Sequence, residues 1–236
     1  MKNVPKIVVL GGASETVRAV QWLKLAGIEG VLIWEKNAKR KKTKFPVGNF
    51  DDLPKPVAIL DVSHAFDEET RAEALARWPK LPYARFGKAP WLPTNEDIWT
   101  EVQNLNEAVA ALPEKTRVFA ATGIGSLKVL AQHDGAVFLR QLRQHNLEFP
   151  LPHGKFVFSR APFSVAAEIT LFCELEIDVL LARNVGGINS FPKLEAARKM
   201  KLPVILLRSP CLPEGPHLKS FTEIKDWIST LRQSCD

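Results

Sequence analysis

The most constraining stretch of the chain is Asp178 to Pro210, DVLLARNVGGINSFPKLEAARKMKLPVILLRSP. Val179 to Ala182 is a short apolar run with the length of a buried strand. Lys193 to Met200 places Leu194, Ala197 and the stem of Lys201 on one helical face. Leu202-Pro203 ends that helix, and Val204 to Leu207 is a second buried strand. Strand, helix and strand within about thirty residues close as a right-handed βαβ unit with a parallel pair. In an open parallel sheet, ligands bind outside the carboxyl ends of the strands. Arg183, Asn184, Gly186 and Gly187 fall at such an end. The two glycines permit φ > 0 and a close approach of ligand to backbone. A tight connection that serves only the fold is the other reading.

The same alternation starts the chain. Lys6 to Leu10 reads as a strand and Gly11-Gly12-Ala13-Ser14-Glu15 as a turn. An amphipathic helix then runs to about Ala26, with Gly27 as its C-cap, and Val31 to Trp34 is the next strand. A glycine turn at a helix start suits a phosphate, because backbone N–H groups and the helix dipole point at it. The pattern is not Gly-x-Gly-x-x-Gly, so the turn alone does not decide for a dinucleotide. The basic run Lys36 to Lys44, KNAKRKKTK, begins just past the second strand. Basic residues there, Lys39 and Arg40 foremost, suit the 2′-phosphate of NADPH. Glu35 ends the same strand and favours an unphosphorylated ribose, so the two signals oppose each other.

Val57 to Leu60 is a further strand, followed by Asp61-Val62-Ser63-His64-Ala65-Phe66 and a helix over Asp67 to Trp78. Ser63 and His64 thus sit at another strand end. His64 is the candidate for donating a proton or binding a carboxylate. A structural histidine bonding its own loop is the alternative. Leu81 to Phe86 is a strand, and Gly87 to Pro93 resembles a domain exit. Beyond it, Leu105 to Leu112 reads as helix and Val118 to Ala121 as strand. Thr122-Gly123-Ile124-Gly125-Ser126 is another glycine turn. Strands follow at Ala136 to Leu139 and Phe156 to Phe158, with a helix after Pro162. Pro210 to Leu218 reads as loop. Ser220 with Glu223 caps a last helix reaching Leu231. The expected fold is α/β: two Rossmann-like doubly wound domains with a ligand cleft between them. The domains are expected over 1–100, binding NADPH, and 101–236, contributing to substrate binding, with the change falling within Pro93 to Lys115.

Bulk properties narrow the function. The net charge of +6 favours anionic partners. The basic run lacks the aromatic platforms or motif that nucleic-acid binding asks for, so a solvated loop or a phosphate contact is the better reading. No run of about eighteen apolar residues is present, so no membrane span is expected. Met1 to Pro5 lacks the apolar core of a signal peptide. Cys173, Cys211 and Cys235 form no Cys-x-x-Cys pair, which argues against zinc and redox motifs. A cytoplasmic chain that binds no metal is expected.

The chain resembles the precorrin-6A reductase family of cobalamin biosynthesis, in order and over nearly its full length. Leu10-Gly11-Gly12-Ala13-Ser14-Glu15 is similar to the family's Leu-Gly-Gly-Thr-x-Glu, and Asp61 to Phe66 to its Asp-Ala-Thr-His-Pro-Phe. Arg85 to Trp91 is similar to a segment with an arginine, a second basic residue and a closing proline and tryptophan. Ser159-Arg160-Ala161-Pro162-Phe163 with Glu168 resembles Arg-Gly-Pro-Phe followed by Glu. Arg183 to Gly187 resembles Lys-Asn-Ser-Gly-Gly, and Lys193 to Arg198 and Leu202 to Ile205 match almost unchanged. The departures are Ala13, Ala65, Arg183 and Val185.

The resemblance implies an oxidoreductase: NADPH-dependent reduction of the precorrin-6A macrocycle to precorrin-6B, with no metal or flavin. Gly11, Gly12, Ala13, Ser14, Glu15, Lys39 and Arg40 would hold the cofactor. Ser63, Arg85, Arg160, Arg183, Asn184, Gly186 and Gly187 would meet the tetrapyrrole, its carboxylates gripped by the arginines. His64 would be catalytic. A monomer is the working expectation. The alternatives are a divergent relative that binds a tetrapyrrole or nucleotide without reducing it, and a reductase of another polycarboxylate.

Overall fold

A computed structural model describes residues 6–36, 38, 40–52 and 55–233. Met1 to Pro5, Lys39 and Cys235 lie outside the described residues. The chain forms two compact units, one holding the residues up to Ala89 together with those from Pro210 on, the other Pro90–Ser209.

The first unit contains β1 (Lys6–Gly11), α1 (Thr16–Leu25), β2 (Glu29–Trp34), β3 (Ala58–Val62), α2 (Glu69–Arg77) and β4 (Tyr83–Phe86). The second contains β5 (Trp99–Val102), α3 (Leu105–Ala110), β6 (Arg117–Ala121), α4 (Leu127–Leu130), β7 (Ala136–Gln141), β8 (Gly154–Phe158), α5 (Val165–Glu174), β9 (Val179–Arg183), α6 (Pro192–Met200) and β10 (Val204–Leu207). The chain then returns to the first unit for β11 (His217–Leu218) and α7 (Phe221–Gln233).

Both sheets are wholly parallel, as the alternating strands and helices require. Their orders are β11-β4-β3-β1-β2 and β5-β10-β9-β6-β7-β8. In the first, β1 lies between β2 and β3, so the connections diverge at the β1/β3 pair. In the second, β7 and β8 extend one way from β6 and β9 lies on its other side, so they diverge at β6/β9. These are the topological switch points where open α/β sheets bind ligands. Three glycine turns read from the sequence sit at them: Gly11–Glu15 after β1, Thr122–Ser126 after β6 and Arg183–Gly187 after β9.

The expected single cut after residue 100 is replaced by a discontinuous first unit. β11 adds beside β4, with Arg85 N–H donating to Pro216 O (2.9 Å) and Gly87 N–H to Leu218 O (3.3 Å). α7 carries Phe221, Ile224, Trp227, Ile228 and Leu231 on one stripe, and Ile224 and Ile228 are buried in the first core. Phe221 stacks on Trp22 of α1 at 5.6 Å and lies 5.4 Å from Phe86 of β4. The tail therefore covers a sheet face that would otherwise be wet. At the other crossing, β5 falls where a linker was expected and pairs with β10. Neither β5 nor β11 is announced by an apolar run: β5 exposes Thr100 and Glu101, and β11 has two residues.

Among the described residues no helix is long and apolar enough to cross a membrane, and no group of three or more His, Cys, Asp or Glu is placed to hold a metal.

Candidate functional site

At the β1/β3 switch point the glycine turn is stitched into the sheet. Gly12 N–H and Ala13 N–H donate to Val62 O at 3.3 and 3.1 Å. Thr16 Oγ1 donates to the same carbonyl at 3.0 Å and accepts from Gly12 N–H at 3.0 Å. These amides hold β1 to β3 and so are not the ones that would cradle a phosphate. The Ser14 amide, in the turn just before the ten-residue α1, has no acceptor among the described residues and is the better placed donor. Beside it, Lys88 Nζ reaches Ser14 Oγ and Glu15 Oε1, both at 3.1 Å. Burial would raise the Glu15 pKa, but the Ser14 hydroxyl and Lys88 bring it below the usual carboxylate range.

Glu35, directly after β2, folds back over the turn. Its N–H donates to Gly11 O at 2.8 Å and its Oε2 accepts the His64 N–H at 3.1 Å. A Cβ on Gly12 would lie 2.0 Å from that oxygen, so the carboxylate occupies the space that a side chain there would take. Burial, joined by the nearby charges of Asp67 and Asp61, raises the Glu35 pKa against the opposing His64 amide. Exposed Arg40 lines a hollow of about 310 Å3 beyond β2, together with Trp34, Lys36, Asp51, Glu69 and Arg77.

Ser63 and Arg85, expected to touch substrate, face inward instead. Asp61, wholly buried, accepts Ser63 N–H (2.8 Å), Ser63 Oγ (2.6 Å), Arg71 Nε (2.7 Å), Tyr83 Oη (2.6 Å) and Arg85 Nη1 (2.9 Å). Burial opposes its charge, yet Arg85 and Arg71 hold it below the usual range. Arg85 also donates to Ser63 O at 2.9 Å. Its guanidinium is committed to the loop, which a buried charge requires. The pair thus shapes the site from below, and the reading of Arg85 as a carboxylate clamp is corrected. His64 rides on this platform, half-buried, with its Nδ1 accepting Phe66 N–H at 3.2 Å. That bond places the proton of the neutral ring on Nε2.

At the β6/β9 switch point, Gly186 and Gly187 adopt φ of 69° and 76°, the left-handed region anticipated for them. Asn184 is buried and spends its side chain on Trp91, accepting its N–H at 2.8 Å and donating to its carbonyl at 3.0 Å. Trp91 Nε1 donates to Gly187 O at 2.9 Å. The Ser209 hydroxyl donates to Asn184 O. Asn184 therefore ties together the two ends of the second unit and fixes the glycine loop, rather than presenting its amide to a ligand. Val185 packs against the apolar core, which accounts for an aliphatic residue there. Arg183 ends β9 partly buried, and burial lowers its pKa. Arg160 is exposed on the loop leading to α5. Ile124 and Ile188 stand out from the two glycine loops, 45% and 85% exposed, an apolar rim that a flat ligand would cover.

Three charged residues of this unit were not among the expected site residues. Arg140, at the end of β7, pairs with buried Glu168 at 2.9 Å and lies between the rings of Phe119 (4.6 Å) and Phe163 (4.7 Å). Lys193, in the first turn of α6, is buried over the Trp91 ring at 5.1 Å and donates to Ser190 O. Burial, with Arg140 adding to it, pushes its pKa down to about 8. Each stands alone in the sequence; the one available signal is a charged residue where a strand ends or a helix begins.

The family described as precorrin-6x reductase CbiJ/CobK matches residues 6–229. A precorrin-6A reductase of Rhodobacter capsulatus is 30% identical, the match covering 95% of this chain and 96% of that protein. One from Rhodococcus erythropolis is 31% identical, covering 96% and 98%. Among solved structures, CobK precorrin-6A reductase superposes with a TM-score of 0.80 at 29% identity, covering 96% of this chain and 97% of that one. With two parallel-sheet domains, glycine loops at both switch points and a match that runs almost end to end, the chain belongs to the precorrin-6x reductase family.

Proposed function

We propose that this chain reduces precorrin-6A to precorrin-6B in cobalamin biosynthesis, with NADPH as the reductant. Family membership over residues 6–229 carries the reading. The local geometry supports a dinucleotide on the first unit. The turn preceding α1 offers the Ser14 amide, beside Lys88, to a pyrophosphate, at a switch point. Arg40 and its neighbour Lys39 are the candidates for the 2′-phosphate. The nicotinamide would supply the hydride.

The remaining work falls to this chain's own groups. Exposed Arg160 and half-buried Arg183 take peripheral carboxylates of the substrate through charge-assisted hydrogen bonds. Gly186 and Gly187 let the backbone come close to a flat ring, and Ile124 and Ile188 cover its apolar surface. His64, held by Glu35 on one side and by the Asp61 network on the other, is the candidate to hold or move a proton at Nε2. Such positioning is most of what hydride transfer asks of a protein.

The test is anaerobic incubation with precorrin-6A and NADPH, following loss of the nicotinamide absorbance and formation of a product two mass units heavier. Binding of both ligands without oxidation over hours would refute it and leave a binding protein.

A further inference from the structure

Lys193 is a cation in a place where the fold does little to hold one. It is the second residue of α6, at the end of the helix where the dipole is already positive. The residue is only 8% exposed. Its ammonium donates to Ser190 O and lies 5.1 Å from the centre of the Trp91 ring. A carbonyl and a ring face compensate poorly for taking a full charge out of water. The carboxylates of the neighbouring elements are engaged by arginines. Glu168 of α5 pairs with Arg140 of β7 at 2.9 Å, and Glu195 and Asp97 pair with Arg198 at 2.8 and 2.9 Å. Among the described residues none of them forms an ion pair with Lys193. Arg140 and Glu168 do act on the ammonium, but with opposite sign. A buried lysine ordinarily has a counter-ion, and the protein supplies none here.

The two contacts of the ammonium set it against the turn at the β6/β9 switch point. Ser190 closes the turn that begins at Gly187. Trp91, whose ring the ammonium overlies, donates from Nε1 to Gly187 O at 2.9 Å. Lysine and indole thus draw the carbonyls at both ends of the turn inward, while Ile188 between them stands outward. Of the three N–H groups of the ammonium, one meets an oxygen of the described residues.

We propose that Lys193 is the receptor for a carboxylate of the substrate at the β6/β9 switch point, the ligand bringing the counter-charge that the fold lacks. The proposal rests on the reading of the chain as a precorrin-6A reductase. Arg160 and Arg183 meet carboxylates from more open positions. Lys193 is already desolvated, so its ion pair forms where the dielectric is low and the attraction is correspondingly larger. The carboxylate also lies at the positive end of α6, which favours an anion as much as it disfavours the bare ammonium. The protein without ligand is less stable for holding this charge, and the bound protein is not. Burial, with Arg140 adding to it, keeps the free ammonium's pKa at about 8, and a bound carboxylate raises it.

Calorimetric titration of the intact protein with precorrin-6A, anaerobically and from pH 7 to about 9 in buffers of different ionisation enthalpy, separates the outcomes. The substrate carboxylates stay ionised throughout. Wild type binds with proton uptake that grows as the pH passes about 8, and its affinity falls there by up to about tenfold per unit. Lys193→Met binds roughly tenfold to a hundredfold more weakly at pH 7, the loss of one charge-assisted hydrogen bond. It takes up no proton, its affinity stays level with pH, and its NADPH binding is unchanged. At pH 7 it unfolds at higher urea than wild type, so weaker binding is not a failure to fold. Wild-type affinity and pH profile in Lys193→Met, or a variant less stable than wild type, overturns the proposal. Wild type that does not bind precorrin-6A overturns the functional reading beneath it and the proposal with it.

Discussion

Asp61→Asn is the substitution to which the first unit should be most sensitive. The Asp61 carboxylate has no exposure and takes five donors, three on Oδ1 and two on Oδ2. Asparagine preserves the shape but replaces one oxygen with an NH2 group. Whichever way that amide turns, its own donors face at least two others: Arg71 Nε and Tyr83 Oη on one side, Ser63 and Arg85 on the other. The change also leaves two buried guanidiniums without a counter-charge. Removing one partner of a buried ion pair costs roughly 3–5 kcal/mol. At a urea dependence of about 2 kcal/mol/M, that moves the unfolding midpoint down by roughly 2 M. Trp22, Trp34, Trp78 and Trp227 all lie in the first unit and report its unfolding by fluorescence. The pH dependence has a definite sign. The folded-state pKa of Asp61 is depressed. Its contribution is therefore full above the unfolded value of about 3.9 and is lost as pH falls through the folded one. The gap between wild type and Asp61→Asn should close only in acid. A loss below about 1 kcal/mol at neutral pH would refute this account, because it would mean that the guanidiniums find water or another acceptor.

Ile224→Ala should destabilise the first unit by about 2–5 kcal/mol and leave the second unit's transition in place, read from fluorescence and near-ultraviolet circular dichroism. Lys193→Met removes a buried ammonium, so the second unit should gain about 3 kcal/mol at pH 7, from the difference between the ordinary value of 10.5 and about 8. Because the folded pKa is the lower one, wild-type stability rises between about pH 8 and 10.5 and the gap closes there; a gap constant with pH would be the contrary result. Arg160→Ala should weaken precorrin-6A binding roughly tenfold to a hundredfold, the loss of one charge-assisted bond, with NADPH binding nearly unchanged by calorimetry. An effect confined to the cofactor would remove Arg160 from the substrate site.

The parts of the fold carried by local pattern were legible in the sequence. β1, β3, β6, β9 and β10 are each built on a short apolar run, and Gly12, Gly186 and Gly187 mark the turns that follow strands at both switch points. What depends on distant partners was not. Nothing near Arg71 says that it reaches Asp61, or near Asn184 that it takes the backbone of Trp91, 93 residues away. Ser63 and Arg85 were placed correctly at strand ends but on the wrong side of the loop, because periodicity does not say which way a side chain turns once the strand stops. The domain boundary was missed for a related reason: the tail's membership of the first sheet rests on two residues of β11 and the apolar stripe of α7, and neither names its partner.

The return of the tail also has a temporal meaning. During synthesis the second unit, one uninterrupted stretch from Pro90 to Ser209, can emerge and close before the ribosome has made β11 or α7. The first unit was begun earlier but must wait, with the faces of Trp22, Phe86 and their neighbours uncovered, until the last helix arrives. The nascent chain thus finishes its second half first. A ribosome that stalls after Ser209 would release a finished second unit joined to an adhesive, unsealed first one, the form most prone to aggregation and to capture by a chaperone.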